Sequence, residues 1–569
     1  MAGSHDLQSM LSAGVRLHQE GDLSAAIKQY SAALERYPSD FNALQLTATA
    51  LSQLGRHAEA VALFEKALNI NDQNPVVWTN CGLALQNLGK SQEALECHKK
   101  ALALDPKNCL ALVNQAACHH RLGNLQEAEE LYLATLKIAP HLTHAHHQLA
   151  TIYIQRSEHD HALTHYENII QLEPGNLDAL FGKASVLYQK GSLQLARQAF
   201  EELLAIHPLT PSALLNHGVV LEDLGFLGQA LESVSKAIEI DSGYADARYN
   251  RGRVLLKMGK LQEGFADYYS RWSAHTIDIP RLKTRAPMLG RDERAEHLLI
   301  WGEQGIGDEI LFSKTLPLAQ RLASRVTVAL DGRLGDLYRE SFPSFQFVSR
   351  SRIRDETANT NIDAHIAMGD VAYCTRASDV EMAELPAPFL KADDLRKHQV
   401  RHLYRFEVGV PILGISWRSA SREYGAANSV ALEAFASIFE GTEAQLVNLQ
   451  YGVTESEIKE LEQRAGKKIF DSAELDIFND LDGLAALISQ CDLVLTVGNI
   501  NAHLAGALGC SGLVLSAMGS VSPWYWGTPE NKQRWYPSLD IVYQDAECGW
   551  DRAVADAGGW LRREMSAAK

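Results

Sequence analysis

Turn residues recur at a constant interval of 34 residues through the first half of the chain. A small residue follows each turn by five positions, and another precedes it by seven. Equal spacing predicts stacked copies of one supersecondary unit, because a unit that cannot bury its apolar face alone must pack against its neighbours. The eight turn positions are Gly21, Gly55, Gly89, Gly123, Ser157, Gly191, Gly225 and Gly259.

Each copy has the pattern of two amphipathic helices joined by the turn. Small residues at fixed places let the two helices pack closely, and prolines at one recurring place end the second helix. This is the tetratricopeptide pattern. It predicts eight repeats over residues 7–278, which form an α-solenoid with an extended concave surface. The recurring prolines are Pro38, Pro106, Pro140, Pro174 and Pro208.

Amide side chains recur at one position on the first helix of the repeats. Gln148 stands there in the fifth repeat, and Gly182 interrupts the series in the sixth. Amides spaced by one repeat can hold the backbone of an extended polypeptide, so these residues are predicted to bind a protein. The alternative is plain repeat consensus, and the sequence leaves both open. The asparagines are Asn80, Asn114, Asn216 and Asn250.

Charge and composition disfavour several classes of partner. The formal charge of −17 would repel nucleic acid and anionic membrane surfaces. No apolar stretch is long enough to span a bilayer, and the start of the chain has no signal pattern, so we expect a cytoplasmic protein. The eight cysteines form no C-x-x-C pair. A histidine-rich stretch from His119 to His165 lacks acidic or cysteine partners at ligand spacing, so no metal site is predicted.

The pattern changes after the last repeat, because short apolar runs begin to alternate with helical segments such as 310–322. This alternation predicts parallel sheets covered by helices. We expect two Rossmann-like lobes, at residues 285–400 and 401–569, whose ligands bind in the loops at the carboxyl ends of the strands. The predicted strands are 298–301, 326–330, 364–368, 412–416, 446–449, 493–497 and 513–515.

The loop at residues 302–309 lies between a predicted strand and a helix. Gly305 and Gly307 permit a tight turn, and Asp308 and Glu309 place carboxylates at a helix N-terminus. The glycines are spaced G-x-x-G-x-G and no Gly-Lys-Ser/Thr follows, so this is neither a dinucleotide fingerprint nor a P-loop. The alternative to a catalytic role is a carboxylate that caps the helix.

Two loops of the second lobe carry side chains suited to a nucleotide. In Trp417-Arg418-Ser419, the arginine can hold a phosphate bidentately and the tryptophan offers a packing face. Gln450 and Tyr451 follow the next strand, where the amide could read a base or a sugar hydroxyl. A surface ion pair and a plain turn are the respective alternatives.

A third loop of the second lobe combines polar side chains with a helix start. Asn499 and Asn501 precede a helix of small residues that is expected to begin near Ala502, and His503 lies in its first turn. Exposed amides and the helix dipole form an anion site there. The small residues that follow can also serve close packing of the helix on the sheet, and both interpretations can hold together.

Several segments of the second half together resemble a known domain. GEQGIGDEILF, GISWRS, NLQYG, DLDGLAALISQCDLVLTVGN and AHLAGALG, followed by SPWYWGTPENKQRWYP, are similar to the transferase half of tetratricopeptide-repeat proteins related to the lipopolysaccharide heptosyltransferases. The resemblance covers both halves of the chain. It implies a GT-B glycosyltransferase fold, with the acceptor on the N-terminal lobe and the nucleotide sugar mainly on the C-terminal lobe.

The resemblance also implies roles for individual residues. Asp308 matches the proposed catalytic base, and residues 499–503 match the donor-phosphate site. The residues expected to contact the donor are Gly305, Gly307, Trp417, Arg418, Ser419, Gln450, Tyr451, Asn499, Asn501 and His503. Heptosyltransferases usually have Asp-Thr where this chain has Gly498-Asn499, which favours a sugar other than heptose.

The repeats would present a protein whose Ser or Thr hydroxyls accept the sugar, as the asparagine ladder does in the protein O-linked N-acetylglucosamine transferases, which this arrangement resembles. Bacterial flagellin glycosyltransferases that attach nonulosonic acids have a similar layout, so flagellin and a CMP-sugar are the specific expectations. A repeat scaffold with a degenerate transferase domain and a lipopolysaccharide sugar transferase remain as alternatives.

No metal or other cofactor is expected beyond the nucleotide-sugar substrate. The Asp-x-Asp at Asp480 and Asp482 stands just before a predicted helix, and we interpret it as an N-cap. Amides at the helix terminus, together with Arg418, can neutralise the phosphates instead.

Overall fold

The computed structural model describes residues 2–353, 362–419, 425, 427–471, 474–519, 522–528, 535–544 and 549–567. Cys548, one of the eight cysteines, lies outside the described residues, and so do residues 529–534 of the segment SPWYWGTPENKQRWYP. Within these ranges, no helix is both long enough and apolar enough to cross a membrane.

Residues 2–268 form paired helices throughout. Seven of the eight turns within the pairs have a glycine at φ of 77° to 86°, which glycine adopts without strain, and the fifth has Ser157 at φ 60°. This long run of pairs fits the predicted tetratricopeptide solenoid. The helices are α1 (Ala2–Gln19), α2 (Leu23–Arg36), α3 (Phe41–Gln53), α4 (His57–Ile70), α5 (Pro75–Asn87), α6 (Ser91–Leu104), α7 (Cys109–Arg121), α8 (Leu125–Ile138), α9 (Thr143–Gln155), α10 (His159–Leu172), α11 (Leu177–Gln189), α12 (Leu193–Ile206), α13 (Pro211–Asp223), α14 (Leu227–Ile240), α15 (Ala245–Lys257) and α16 (Leu261–Tyr268).

The small residues that precede each turn sit where the two helices of a repeat touch. A Cβ on Gly82 would lie 2.5 Å from the ring of His98, and a Cβ on Gly14 would lie 2.3 Å from the ring of Tyr30. Both distances are too short for a side chain, so close packing of the pair requires these residues. The sequence interpretation of the small positions is confirmed here.

The chain divides into two compact units, Met1–Pro208 and Leu209–Lys569. The first unit contains α1 to α12, and the second contains the last two repeats and the α/β region. The predicted domains, 7–278, 285–400 and 401–569, follow the change in sequence periodicity and stay predictions. The division by contacts falls inside the array of repeats.

The second unit contains two parallel sheets in its described part. The order of the first sheet is β3-β2-β1-β4, and the order of the second is β10-β9-β8-β5-β6-β7. The strands are β1 (Ala295–Trp301), β2 (Ala323–Leu330), β3 (Gln346–Ser349), β4 (Ala364–Ala367), β5 (Ile412–Ile415), β6 (Gln445–Asn448), β7 (Ile469–Phe470), β8 (Leu493–Val497), β9 (Gly512–Ser516) and β10 (Leu539–Tyr543).

Helices connect the strands of both sheets, as the alternation of the sequence predicts. One predicted helix, 310–322, is interrupted: a helix ends at Ser313 and a 3-10 turn, Leu316–Arg321, follows with Pro317 at its start. The helices are α17 (Ile306–Ser313), α18 (Gly335–Ser341), α19 (Val371–Thr375), α20 (Asp379–Ala383), α21 (Asp394–Tyr404), α22 (Leu432–Ser437), α23 (Glu455–Ala465), α24 (Leu481–Ile488), α25 (Ile500–Leu508) and α26 (Asp551–Ala567).

The last repeat shares a hydrophobic core with the α/β region. Phe265 and Tyr268 of α16 belong to the same buried cluster as Phe312 of α17 and Trp535. The ring centroids of Phe265 and Phe312 are 6.4 Å apart, and those of Phe265 and Trp524 are 5.6 Å apart. The end of the solenoid is therefore part of the core that supports the first sheet.

We predict that a fragment of residues 209–569 folds cooperatively and that a fragment of residues 285–569 does not reach the same stability. The shorter fragment lacks Phe265 and Tyr268, and each buried aromatic residue of this kind is worth about 3 kcal/mol or more. Thermal unfolding followed by circular dichroism compares the two, with residues 1–208 as a control that should fold independently. Equal melting temperatures for the two C-terminal fragments would show that the shared core is unimportant.

Candidate functional site

The loop after β1 places Asp308 in the first turn of α17. Its carboxylate accepts a hydrogen bond from the backbone N–H of Gly305 at 3.1 Å, so it caps the helix. The side chain is half-buried, and burial raises the pKa of Asp308 to about 6. A carboxyl group that titrates near neutral pH suits general acid–base chemistry.

The neighbouring carboxylate of Glu309 is buried and engaged by protein groups. It accepts the backbone N–H of Asp331 at 2.7 Å and forms an ion pair with Arg350 at 3.0 Å. Burial raises the pKa of Glu309 to about 7. Gly302 makes room for this side chain, because a Cβ there would lie 2.1 Å from Glu309 Oε1. Of the two acidic residues, Asp308 is therefore the more accessible.

The glycine beside Asp308 packs against a helix of the second sheet. A Cβ on Gly307 would lie 3.0 Å from the imidazole of His503 on α25. The Nδ1 atom of His503 is 2.9 Å from the hydroxyl oxygen of Tyr536, and the ring lies 5.0 Å from that of Tyr525. The structure thus brings the loop at residues 302–309 into contact with the helix start at residues 499–503.

His503 carries no charge at neutral pH in this setting. Burial lowers the pKa of His503 to about 3. A neutral imidazole can still donate or accept a hydrogen bond, but it cannot neutralise a phosphate. The contribution that the sequence assigned to His503 at a donor site is therefore restricted to hydrogen bonding.

Gln450 holds two strand-end loops of the second sheet together. Its side-chain oxygen accepts the backbone N–H groups of Trp417 and Arg418 at 3.1 and 2.9 Å, and its Nε2 donates to the carbonyl of Tyr451 at 3.1 Å. The residue is 1% exposed. These contacts fix the loops after β5 and β6, whereas base recognition by Gln450 stays a prediction.

Asn499 and Asn501 belong to a buried polar network at the ends of β5, β6 and β8. Asn499 caps α25 by accepting the N–H of Asn501 at 2.9 Å, and its Nδ2 donates to Ser416 Oγ at 3.2 Å. Asn501 Nδ2 donates to Ser416 Oγ at 3.1 Å and to the carbonyl of Leu449 at 2.9 Å. Ser416 also lies 2.6 Å from Thr496 Oγ1.

Sequence reasoning missed Ser416 and Thr496 as members of this network. Both are buried hydroxyl residues at the ends of apolar strands, where a buried polar group needs a partner. That position was the signal that could have identified them. The network fixes the N-terminus of α25, where the N–H of Asn501 already donates to Asn499, and anion binding at this helix terminus stays a prediction.

The remaining predicted donor residues make contacts within the second sheet. Arg418 pairs with Glu457 at 2.7 Å and donates to the carbonyl of Gly452 at 2.9 Å. Ser419 donates its N–H to Ser429 at 3.1 Å. Trp417 is buried against Phe435, and the ring of Tyr451 lies 5.8 Å from that of Phe478. Binding of a nucleotide by these residues stays a prediction.

Gly498 lies under the indole of Trp526. A Cβ there would be 3.3 Å from Trp526 Nε1, so a larger side chain would press on the buried ring. Among the described residues this indole nitrogen has no hydrogen-bond partner. The tryptophan accounts for the small residue at this position.

The recurring asparagines differ in their surroundings. Asn114 is buried, and its Nδ2 has no hydrogen-bond partner within the described part of the chain. Asn250 donates to the carbonyl of Asp246 in its own helix at 2.9 Å, and its oxygen is 3.4 Å from Arg253. Asn80 and Asn216 are half-buried on α5 and α13. Asn80 and Asn216 are therefore the more exposed of the four amides.

A cavity of about 640 Å³ lies between the turns of the last two repeats and residues that follow β9. Leu224, Phe226 and Met258 line it from the turns, and Met518 and Thr528 line it from the segment after β9. Its volume is in the range of small-molecule sites. The sequence did not predict it, because its walls come from residues about 300 positions apart along the chain.

The acidic pair at residues 480 and 482 has the role that the sequence indicated for it. Asp480 caps α24 by accepting the N–H of Gly483 at 2.8 Å, and it pairs with Arg396. Across the residues that the structure describes, no group of three His, Cys, Asp or Glu residues could hold a metal ion.

Sequence comparisons identify the repeats of the first half. The tetratricopeptide repeat families match residues 11–75, 75–108, 99–130, 147–211 and 215–275. The N-terminal part of the chain consists of tetratricopeptide repeats. The matches end before the α/β region begins.

One curated relative is similar over about half of the chain. Protein FlbA of Caulobacter vibrioides is 28% identical over 320 residues, which are 53% of this chain and 53% of that protein. The chain therefore spans about half the length of the curated relative it matches.

Two solved structures match parts of the chain at low identity. A tetratricopeptide repeat protein from Parabacteroides merdae is 18% identical and covers 44% of this chain and 99% of its own, with a TM-score of 0.34. YrrB, described as a TPR protein with an unusual peptide-binding site, is 23% identical and covers 32% of this chain and 95% of its own, with a TM-score of 0.29.

We predict that Gln450→Ala lowers the free energy of unfolding of the second unit by roughly 2–4 kcal/mol, because two buried backbone N–H groups lose their acceptor. Chemical denaturation of the 209–569 fragment measures this. The matched control is Gln463→Ala, which changes an exposed glutamine on α23 and should cost less than about 0.5 kcal/mol. A similar small effect for both variants would mean that Gln450 does not hold the loops.

Proposed function

We propose that the chain is a glycosyltransferase, which moves a sugar from a nucleotide-sugar donor to a Ser or Thr hydroxyl of a protein held by the repeats. The observation that carries the proposal is a contact between two predicted site loops. Gly307 packs against His503 on α25. The next residue, Asp308, has a carboxyl pKa of about 6. A base that follows a strand of the first sheet and an anion site that follows a strand of the second sheet suit sugar transfer.

The donor phosphate would bind at the N-terminus of α25. The network of Ser416, Asn499 and Asn501 holds that terminus rigidly, and rigid donors stabilise developing charge without reorganisation. Because His503 is neutral, backbone amides and the helix dipole would supply the stabilisation, without a metal ion. Gly305, Gly307 and the loop residues 417–419 would shape the remainder of the donor site.

In the proposed reaction, Asp308 takes the proton of the acceptor hydroxyl. The hydroxyl oxygen forms a bond to the anomeric carbon of the sugar, and the bond from that carbon to the phosphate oxygen of the nucleotide breaks. The electron pair leaves with the nucleotide, whose charge the first turn of α25 stabilises. The proton then passes from Asp308 to solvent, so the carboxylate is regenerated.

The acceptor side of the proposal rests on the repeats. Arrays of such repeats bind polypeptides along an extended surface, and the half-buried amides of Asn80 and Asn216 can donate to a bound backbone carbonyl. The specific form, flagellin modified with a nonulosonic acid from a CMP-sugar in the cytoplasm, rests on the resemblance in sequence alone.

A second candidate is a repeat scaffold whose transferase-like half no longer acts. The observation in its favour is that Gln450, Asn499 and Asn501 use their side chains on protein groups, and that Gly498 replaces the aspartate of the family pattern. A scaffold would bind the partner protein but transfer nothing, so the following test separates the two.

We predict that Asp308→Asn lowers the rate of sugar transfer by roughly 10²–10⁴-fold, the usual range for loss of a general base. Asparagine can still cap α17, so nucleotide affinity measured by calorimetry should stay within about twofold. Glu296→Gln, an exposed change at the start of β1, is the matched control and should transfer at the parental rate. A fully active Asp308→Asn variant would remove Asp308 from the mechanism.

We also predict that replacing the recurring asparagines weakens binding of an acceptor that the full chain modifies by at least about tenfold, while nucleotide affinity is unchanged. Each lost hydrogen bond to a bound backbone is worth about 1 kcal/mol. Fluorescence anisotropy of the labelled acceptor measures the effect. The variant changes Asn80, Asn114, Asn216 and Asn250 to Ala, and the control changes the exposed residues Asn69, Gln73, Gln126 and Gln194 to Ala.

Equal affinity of the acceptor for the two quadruple variants would show that the recurring asparagines are only repeat consensus. The melting temperature of a fragment of residues 1–208 with Asn80→Ala and Asn114→Ala would reveal any loss of acceptor affinity that comes from unfolding of the first unit.

A further inference from the structure

Arg271, in the 3-10 turn Tyr269–Trp272 that ends the eighth repeat, is completely buried with two carboxylates. Its Nη2 donates to both oxygens of Glu303, at 3.0 and 2.7 Å. Its Nη1 forms an ion pair with Asp370 at 2.6 Å. Trp272 donates its indole N–H to the other oxygen of Asp370 at 2.9 Å.

The two carboxylates come from the ends of neighbouring strands. Glu303 follows β1, Asp370 follows β4, and these strands pair in parallel. Gly369 permits the approach, because a Cβ there would lie 2.7 Å from Glu303 Oε1. Arg271 of the last repeat therefore joins the ends of β1 and β4 by pairing with Glu303 and Asp370. Glu303 belongs to the loop that leads to Asp308.

The cluster contains one positive and two negative groups when all are ionised. An excess buried negative charge is costly, so one carboxyl keeps a proton near neutral pH. Burial is the main cause that raises the pKa of Glu303 to about 7, and it also raises the pKa of Asp370.

Asp308 lies five residues after Glu303 in the same loop, and the two carboxyl groups repel each other when ionised. The other titratable groups that face Asp308 are Glu309, Tyr268, Tyr525 and Tyr536. The tyrosines stay neutral near pH 7, because burial raises their pKa values well above the ordinary value. Glu309 already pairs with Arg350.

We propose that Glu303, clamped by Arg271 of the last repeat, is a positioning residue for Asp308, so that the end of the repeat array is a working part of the transfer site. The proposal rests on the proposed function. Glu303 touches no reacting atom. It holds the loop in place through its two hydrogen bonds from Arg271.

The first test is Glu303→Gln in the full chain. Glutamine keeps the size and an oxygen acceptor for Arg271, and it removes the surplus charge, so the variant should fold. Glu303, whose pKa is about 7, still holds its proton near pH 6 where Asp308 titrates, so the acid limb of the pH profile of kcat should stay within roughly 0.3 unit of the parent. Loss of one of the two acceptor oxygens weakens the hold of Arg271 on the loop, so kcat should fall at least about threefold while KM for the donor stays within about twofold. Glu296→Gln at the opposite end of β1 makes the same substitution and should leave kcat unchanged.

The second test needs no transfer activity. Melting temperatures of the parent, Glu303→Gln, Asp308→Asn and the double variant form a cycle that measures the coupling of the two carboxyl groups. We expect additive changes at pH 5, where both groups hold protons, and non-additive changes at pH 8, where both are ionised. Additivity at pH 8 overturns the proposal.

A third variant, Arg271→Lys, examines the clamp itself. An ammonium group lacks the fork that holds two carboxylates at once, so kcat should fall at least about tenfold while KM for the donor stays within about twofold. An unchanged kcat for Glu303→Gln, or an unchanged kcat for Arg271→Lys, contradicts the inference. A parent chain that transfers no sugar, but shows the coupling at pH 8, contradicts the proposed function alone.

Discussion

Burial of the apolar face of α16 against α17 is the interaction on which the second unit depends. A terminal repeat has no further repeat to cover it, so it must either expose its face or bury it against another element. Here Phe265 and Tyr268 enter the core of the α/β region, and Arg271 enters beside them with its charge paired. The last repeat therefore belongs to the same folded unit as the sheets.

This arrangement explains the unusual chemistry of the loop after β1. Glu303, Asp308 and Glu309 lie within seven residues, and burial raises the pKa of each towards neutral pH. Arg271 and Arg350 pair with Glu303 and Glu309, which leaves Asp308 as the more accessible carboxyl group. Water exclusion by the shared core thus prepares one carboxyl group for proton transfer, if the chain is the transferase we propose.

The repeats and most strands could be predicted from the sequence, because spacing and apolar periodicity report local structure. β8 agrees with its predicted range, whereas β3, β7 and β10 were missed because they are short or lie at a sheet edge. The predicted helix 310–322 was too long, because Pro317 lies inside it and proline disfavours a continuous helix. The Arg271 cluster and the Ser416–Thr496 contact could not be predicted, because partners 32 to 99 residues apart meet only through the fold.

Thermal unfolding of the full chain with CMP, UDP, GDP or ADP tests the central claim most directly. The account predicts that at least one nucleotide raises the melting temperature of the transition that belongs to residues 209–569, and that Asp308→Asn keeps this rise. A ligand present at 100 times its dissociation constant adds about 2.7 kcal/mol. If no nucleotide at millimolar concentration shifts that transition, the second unit is not a nucleotide-sugar transferase.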